Sequence, residues 1–252
     1  MPLRSYLDGR AFGELADGPG PLIVALHGWG RDRHDFNGVL STYRYLLIDL
    51  PGFGVSPPPQ AWGAADYASC VAAVLEQAPT EPVVILGHSF GGRVAVCLAA
   101  GRPDLVRGMV LCGTPLLRSP NAAKPPFAYK LGRQAHQMGL LSDRRFEALR
   151  RSRGSDDYKA ASGVMRKVLV RMVNESYEAQ LTEVACPVGL LWGSLDQAAP
   201  VTVIEKARHL ITAPVFTDVV EGAGHDVHLQ APSRLRAMID KVLEAPGKVP
   251  RC

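Results

Sequence analysis

A serine, an aspartate and a histidine, each just beyond an apolar run, are the residues whose types and spacing suit covalent chemistry. Ser89 stands in Gly87-His88-Ser89-Phe90-Gly91, a G-x-S-x-G match lying between the apolar tracts "VVIL" and "VAVCLAA". With a strand before it and a helix after it, such a serine occupies a sharp turn that lifts Oγ out of the sheet. Glycines two positions either side let neighbouring backbone pass close without a Cβ clash. A serine N-cap for the following helix is the bland alternative, and it accounts for Ser89 alone.

A serine hydroxyl is a poor nucleophile at neutral pH and needs a base within hydrogen-bond reach. The stretch "VVEGAGHDVHLQAP" offers His225, which follows Gly222-Ala223-Gly224 directly after an apolar tract. His228, three residues on, is read as packing or capping, and structural roles suit His88 and His27 better. The base in turn needs an acid to fix its tautomer. Asp196 fits, because "VGLLWGSLDQAAP" runs a strand to its end and turns through Gly193 to present a carboxylate. Asp218, inside a strand-like tract, and Asp226, adjacent to His225, rank behind it. An oxyanion would need two main-chain donors. Phe90, just after the serine, and Trp29, between Gly28 and Gly30 in "LHGWGRD", are the candidates, with core cover as the plainer use of the Trp29 indole. Gly52-Phe53-Gly54 lacks the third glycine of a phosphate-binding loop and is read as a turn.

These residues need a scaffold that brings strand ends together. Apolar tracts at 21–28, 43–50, 82–89, 106–113, 187–193 and 213–220 have the length and β-branched content of buried strands. Helices are expected over 65–77, 90–101, 200–209 and 232–244, the last with Pro232 near its first turn. Strands alternating with helices imply a doubly wound, mostly parallel α/β sheet. The alternation lapses over 114–185, where Lys and Arg exceed Asp and Glu by 13 to 7 and helix-prone stretches replace strands. That segment is expected to be a helical cap inserted between core segments 1–113 and 186–252. Its Val164, Met165, Val168, Leu169, Met172 and Val173 recur at helical spacing and are expected to pack on the core, with lining of an acyl pocket second. Arg150, Arg151 and Arg153 are read as ordinary exposed face.

The chain has 252 residues and a formal net charge of +4, with basic residues spread out rather than gathered into an arm that would track phosphates. Nucleic acid is therefore not expected as a partner. Cys70, Cys97, Cys112, Cys186 and Cys252 are far apart and odd in number, which argues against a zinc site or a disulfide framework and for a cytoplasmic location. The first residues, "MPLRSYLDGRAFGELADG", lack the continuous apolar region of a signal peptide, and no segment has the length of a membrane span. Nothing in the composition sets the oligomeric state.

Taken together, "LHGWG", "DLPGFGVS", "GHSFGG" and "LLWGSLD" with "GAGHDVHL" make the chain resemble the α/β-hydrolase superfamily over roughly 10–113 and 186–245. The resemblance implies Ser89 as nucleophile, His225 as base, Asp196 as orienting acid, and Trp29 and Phe90 as backbone oxyanion donors. It also implies a helical cap and no cofactor or metal. The expected activity is hydrolysis of a small or medium carboxylic ester through an acyl-enzyme, with a small-molecule acyl substrate as partner. Serine at 89 argues against the dehalogenases and epoxide hydrolases of the superfamily, which use a carboxylate nucleophile. Carbon–carbon hydrolases of the meta-cleavage type rank second, because Gly193-Ser194-Leu195 lacks the arginine they carry there. A cofactor-free perhydrolase or haloperoxidase would use the same residues, and a non-catalytic binding module would keep only the fold.

Overall fold

The computed structural model describes residues 2–77, 81–117, 134–142, 144–145 and 156–246. Eight strands form one sheet in the order β1-β2-β4-β3-β5-β6-β7-β8. They are β1 Leu3–Tyr6, β2 Ala11–Ala16, β3 Ile23–Leu26, β4 Tyr45–Asp49, β5 Val83–His88, β6 Val106–Cys112, β7 Val188–Gly193 and β8 Val215–Val220. Strands β3 to β8 pair in parallel, as the doubly wound reading requires, while β1 and β2 pair antiparallel at one edge.

The helices include α1 Ala64–Glu76, α2 Phe90–Gly101, α3 Asp156–Ala160, α4 Gly163–Asn174, α5 Glu178–Glu183, α6 Thr202–Leu210, α7 Val227–Gln230 and α8 Pro232–Glu244. The two-residue period of the strands divides the core. Val24, Leu26, Ile85, Met109 and Leu111 face α1, α2 and α6, whereas Ile23, Ala25, Val84, Leu86 and Val110 face α8 and the short turn at Arg33–Phe36. The middle of each central strand is therefore apolar on both faces, which is why continuous apolar runs mark them.

The expectations differ from the structure at the two sheet edges. The β1–β2 hairpin was not foreseen, because "LRSY" and "AFGELA" are short, partly exposed and lack a sustained apolar run. Leu7, Asp8 and Gly9 turn it with positive φ, an arrangement that only Gly9 advertises in sequence. The 213–220 tract was expected to be buried, but β8 is an edge strand whose residues are all half-buried or exposed.

Between Cys112 and Val188 the described residues contain helices and no strand. In α4, Val168, Leu169 and Met172 are buried as the helical spacing predicted, while Val173 is 56% exposed. Arg93, itself in α2, donates from Nη1 to the Met172 carbonyl at 2.7 Å and so ties the end of α4 to the core. Arg150, Arg151, Arg153 and Cys252 lie outside the described residues. Among the described residues no helix is long and apolar enough to cross a membrane.

Candidate active site

The chain reverses its direction of winding at β3, so the loops after β3 and β5 leave the same end of the sheet from neighbouring strands. Ser89 follows β5 directly with φ 48° and ψ −106°, backbone angles that are costly for a residue with a side chain. Its neighbours allow the turn. A Cβ on Gly91 would fall 2.1 Å from the Leu26 carbonyl oxygen, and one on Gly87 would fall 2.5 Å from Gly92 Cα. The glycine spacing thus reflects close backbone approach, as read from the motif.

The candidate acid and base, Asp196 and His225, follow the adjacent strands β7 and β8. Their loops are stitched together by Ser194 N–H to the Val220 carbonyl at 3.0 Å and Leu195 N–H to the Ala223 carbonyl at 2.9 Å. Gly193 permits this contact, since a Cβ there would lie 2.3 Å from the carbonyl oxygens of both Ala223 and Gly224. Asp196 is buried, and its Oδ1 accepts the N–H groups of Ala198 at 2.9 Å and Ala199 at 2.8 Å. Its other oxygen, Oδ2, is 2.8 Å from His225 Nδ1. His225 Nε2 is in turn 2.9 Å from Ser89 Oγ. A carboxylate can only accept, so Nδ1 carries the proton and Nε2 is free to accept the serine hydroxyl proton. The three sequence candidates are thereby brought into one hydrogen-bonded line spanning 136 residues of chain.

The oxyanion candidates flank this line. Phe90 opens α2, where main-chain N–H groups lack helical partners. Trp29 follows buried Gly28, and its indole packs edge-on against Phe53 at 5.0 Å and Phe90 at 5.5 Å between ring centroids. The indole therefore covers the core, as its bland reading had it. Among the described residues neither the Trp29 nor the Phe90 main-chain N–H donates a hydrogen bond.

The rejected candidates have other partners. Asp218 is ion-paired with Arg234, and Asp226 Oδ1 lies 3.4 Å from Arg31 Nη1. His27 Nε2 accepts the Leu50 N–H at 3.0 Å, so its ring braces the β3 and β4 ends. Gly54, with φ 54°, turns tightly over the Asp49 carboxylate, which pairs with Arg33 at 2.7 Å, so the Gly52–Gly54 segment is a structural turn.

Sequence reasoning passed over Asp35, a buried carboxylate within reach of His88 and His228. Nothing in "RDRHDF" separates a buried aspartate from an exposed one. These three groups have metal-ligand chemistry, with donor atoms within 4.8 Å of one another. Asp35 is already occupied, however, by Arg31, by His228 at 2.9 Å and by the Gly28 N–H at 3.1 Å. A cation would have to displace an arginine, so the cluster does not fit a metal.

Burial and the neighbouring Asp156 raise the Asp157 carboxyl in α3, and the His225 imidazole opposes them. A cavity of about 650 Å³ is lined by Tyr158, Arg166, Lys167, Val170 and Arg171, and includes none of Ser89, Asp196 or His225.

Residues 21–232 match the family described as the alpha/beta hydrolase fold. The biotin biosynthesis bifunctional protein BioHC of Cellvibrio japonicus (strain Ueda107) is 27% identical over 247 residues, covering 89% of this chain and 48% of that protein. The chain thus spans about half the length of this curated relative. The pimeloyl-acyl-carrier-protein methyl ester esterase of Shewanella oneidensis is 30% identical over 227 residues, covering 81% of this chain and 83% of the esterase. Among solved structures, the esterase RhEst1 from Rhodococcus sp. ECU1013 superposes with a TM-score of 0.69 at 23% identity, covering 98% of this chain and 100% of that one. At that identity the likeness is one of fold.

Proposed function

Because the chain belongs to the alpha/beta hydrolase fold family, we propose that it is a serine hydrolase of small or medium carboxylic esters. The observation that carries this reading is the unbroken line from Asp196 Oδ2 through His225 to Ser89 Oγ, with steps of 2.8 and 2.9 Å. In this mechanism Ser89 Oγ attacks the ester carbonyl carbon while His225 Nε2 takes the hydroxyl proton. Asp196 holds the ring and stabilises the imidazolium. The resulting oxyanion is met by the main-chain N–H groups of Phe90 and Trp29, which donate no other hydrogen bond among the described residues. His225 then gives its proton to the departing alcohol, and the ester C–O bond breaks to leave an acyl-enzyme. A water, deprotonated by the same histidine, releases the acid and returns the proton to Ser89.

No cofactor or metal is needed for any step. A partner of the type processed by the Shewanella esterase, an alkyl ester at the end of an acyl chain, is the finer form of this proposal. Residues 114–185 serve in it as the cap, with Arg93 as one anchor. Free Cys70, Cys97, Cys112 and Cys186 support a reducing, cytoplasmic setting. Burial pushes the Cys70 thiol up to about 11 and that of Cys97 up to about 12, so these are poor nucleophiles beside Ser89.

The test is exposure of purified protein to a fluorescent alkyl-fluorophosphonate and to methyl and p-nitrophenyl esters of graded acyl length. Labelling and turnover lost in both Ser89→Ala and His225→Ala are expected. Well-folded wild type that neither labels nor hydrolyses would turn the assignment toward a binding module.

A further inference from the structure

Asp35 is the meeting point of three loops, yet it is no part of the hydrogen-bonded line to Ser89. Its side chain is fully buried, and four groups approach it. The Gly28 N–H donates to Oδ2 at 3.1 Å, from the loop that carries Trp29. Arg31 Nε, on the same loop, pairs with Oδ1. His228 Nε2 donates to Oδ1 at 2.9 Å, from the helix that opens just after His225. His88 Nδ1, from the residue before Ser89, lies 3.4 Å from Oδ2.

The opposite edge of His88 closes the circuit. Its Nε2 donates to the His225 main-chain carbonyl at 3.2 Å, so the ring spans from Asp35 to the base's own backbone. Gly28 makes room for it, since a Cβ there would fall 2.6 Å from His88 Nδ1. Arg31 adds a second strap, with Nη1 3.4 Å from Asp226 Oδ1. Burial by itself would raise the Asp35 carboxyl, but the hydrogen bond from His228 and the electrostatic influence of the two histidines beside it hold it far below the usual carboxylate range. A carboxylate offers about four acceptor sites on two oxygens, whereas an amide whose oxygen keeps Arg31 and His228 turns its NH₂ toward the Gly28 N–H. In a buried setting that mismatch is costly and is relieved only by movement of the loops.

Resting on the hydrolase reading above, we propose that Asp35 is a positioning residue whose carboxylate holds the Trp29 loop, the His88–Ser89 turn and the His225 loop in one register. Asp35 touches no reacting atom; it acts through the hydrogen bonds it accepts from His228 and Gly28 and through its contact with the His88 ring. Misplacement of a reacting group by about 1 Å costs on the order of 100-fold in rate, so loosening this register should appear in turnover before it appears in binding.

The experiment compares wild type, Asp35→Asn, His228→Leu and His228→Gln, each assayed well below its own unfolding midpoint. Steady-state hydrolysis of a p-nitrophenyl ester and the rate of fluorophosphonate labelling are the readouts. Asp35→Asn is expected to lower kcat and the labelling rate by roughly 10- to 100-fold with KM within about threefold. His228→Leu should fall in the same direction, and His228→Gln, whose amide N–H can reach Asp35, should recover most of that loss. A residue that only supported folding would shift the midpoint and leave kcat of the folded protein alone. Folded Asp35→Asn with kcat near that of wild type overturns the proposal. Should Asp35→Asn fail to fold, equal kcat in His228→Leu and His228→Gln overturns it instead. A wild type that neither labels nor hydrolyses overturns the hydrolase reading and this proposal with it; normal labelling of wild type beside an unimpaired Asp35→Asn overturns this proposal alone.

Discussion

Gly113 abuts His225 so closely that a methyl group on the glycine would fall 2.9 Å from the histidine's main-chain oxygen and 3.0 Å from Asp196 Oδ2. Gly113 directly follows β6 with φ 48°, in the region that residues with a Cβ avoid. Gly113→Ala is therefore expected to cost about 1 kcal/mol or more in stability. By pushing on the acid and the base together, it should also lower kcat roughly 10-fold or more. Thermal unfolding and ester kinetics on the same sample check both, and an alanine variant with wild-type kcat would show that the site tolerates the displacement.

Ser89 bears strain of the same kind at φ 48°, where the mechanism needs its side chain. Ser89→Ala keeps the strain and Ser89→Gly releases it. The glycine variant should be the more stable of the two inactive proteins by about 1 kcal/mol or more, less its added unfolded-state entropy. Urea unfolding of the pair measures the difference, and a less stable glycine variant would argue that the turn is not strained.

Asp196→Asn is expected to fold and to lose roughly 10³- to 10⁴-fold in kcat. The two N–H groups of Ala198 and Ala199 require an oxygen at the Oδ1 position. The amide NH₂ must then face His225 Nδ1, which forces the ring proton onto Nε2 and leaves Ser89 without a base. Stopped-flow labelling resolves the residual rate, and a loss of only a few-fold would remove Asp196 from its assigned role.

Burial, opposed by Asp35, lowers His88 from its ordinary 6.5 to about 4, and His27 is lowered by burial as well. Below about 6.5 the unfolded chain takes up a proton at His88 that the folded protein refuses until about 4. The stability present above 6.5 is accordingly lost as pH falls through that window, at a limiting slope of about 1.4 kcal/mol per pH unit per histidine. Asp35, whose folded value is also depressed, adds its own loss only below the ordinary carboxylate range. Unfolding midpoints measured between neutral pH and pH 4 should fall in wild type and fall less steeply in His88→Asn; parallel curves would refute the buried neutral imidazole.

Much of this was legible in the chain. Central strands buried on both faces must be apolar throughout, so β3, β5, β6 and β7 are visible as runs of valine, isoleucine and leucine. Edge elements escape that rule. The β1–β2 hairpin is too short and polar to register, and β8 is apolar in composition although it lies at the rim. Ser89, Asp196 and His225 stood out as candidates because a nucleophile needs a turn, a base needs a loop and an acid needs a strand end, and the structure brings the three into one hydrogen-bonded line.

The sequence by itself determined the alternation of strands and helices and the chemical types at the site, because burial periodicity and backbone sterics act locally. It did not determine which carboxylate meets which histidine. That choice was decided by the pairing of β7 with β8, which sets Asp196 beside His225, and by the crossing of loops that buries Asp35 among Gly28, His88 and His228. Hydrogen bonds between groups 136 to 193 residues apart exist only once the sheet has brought strand ends to one edge, so no local pattern announces them.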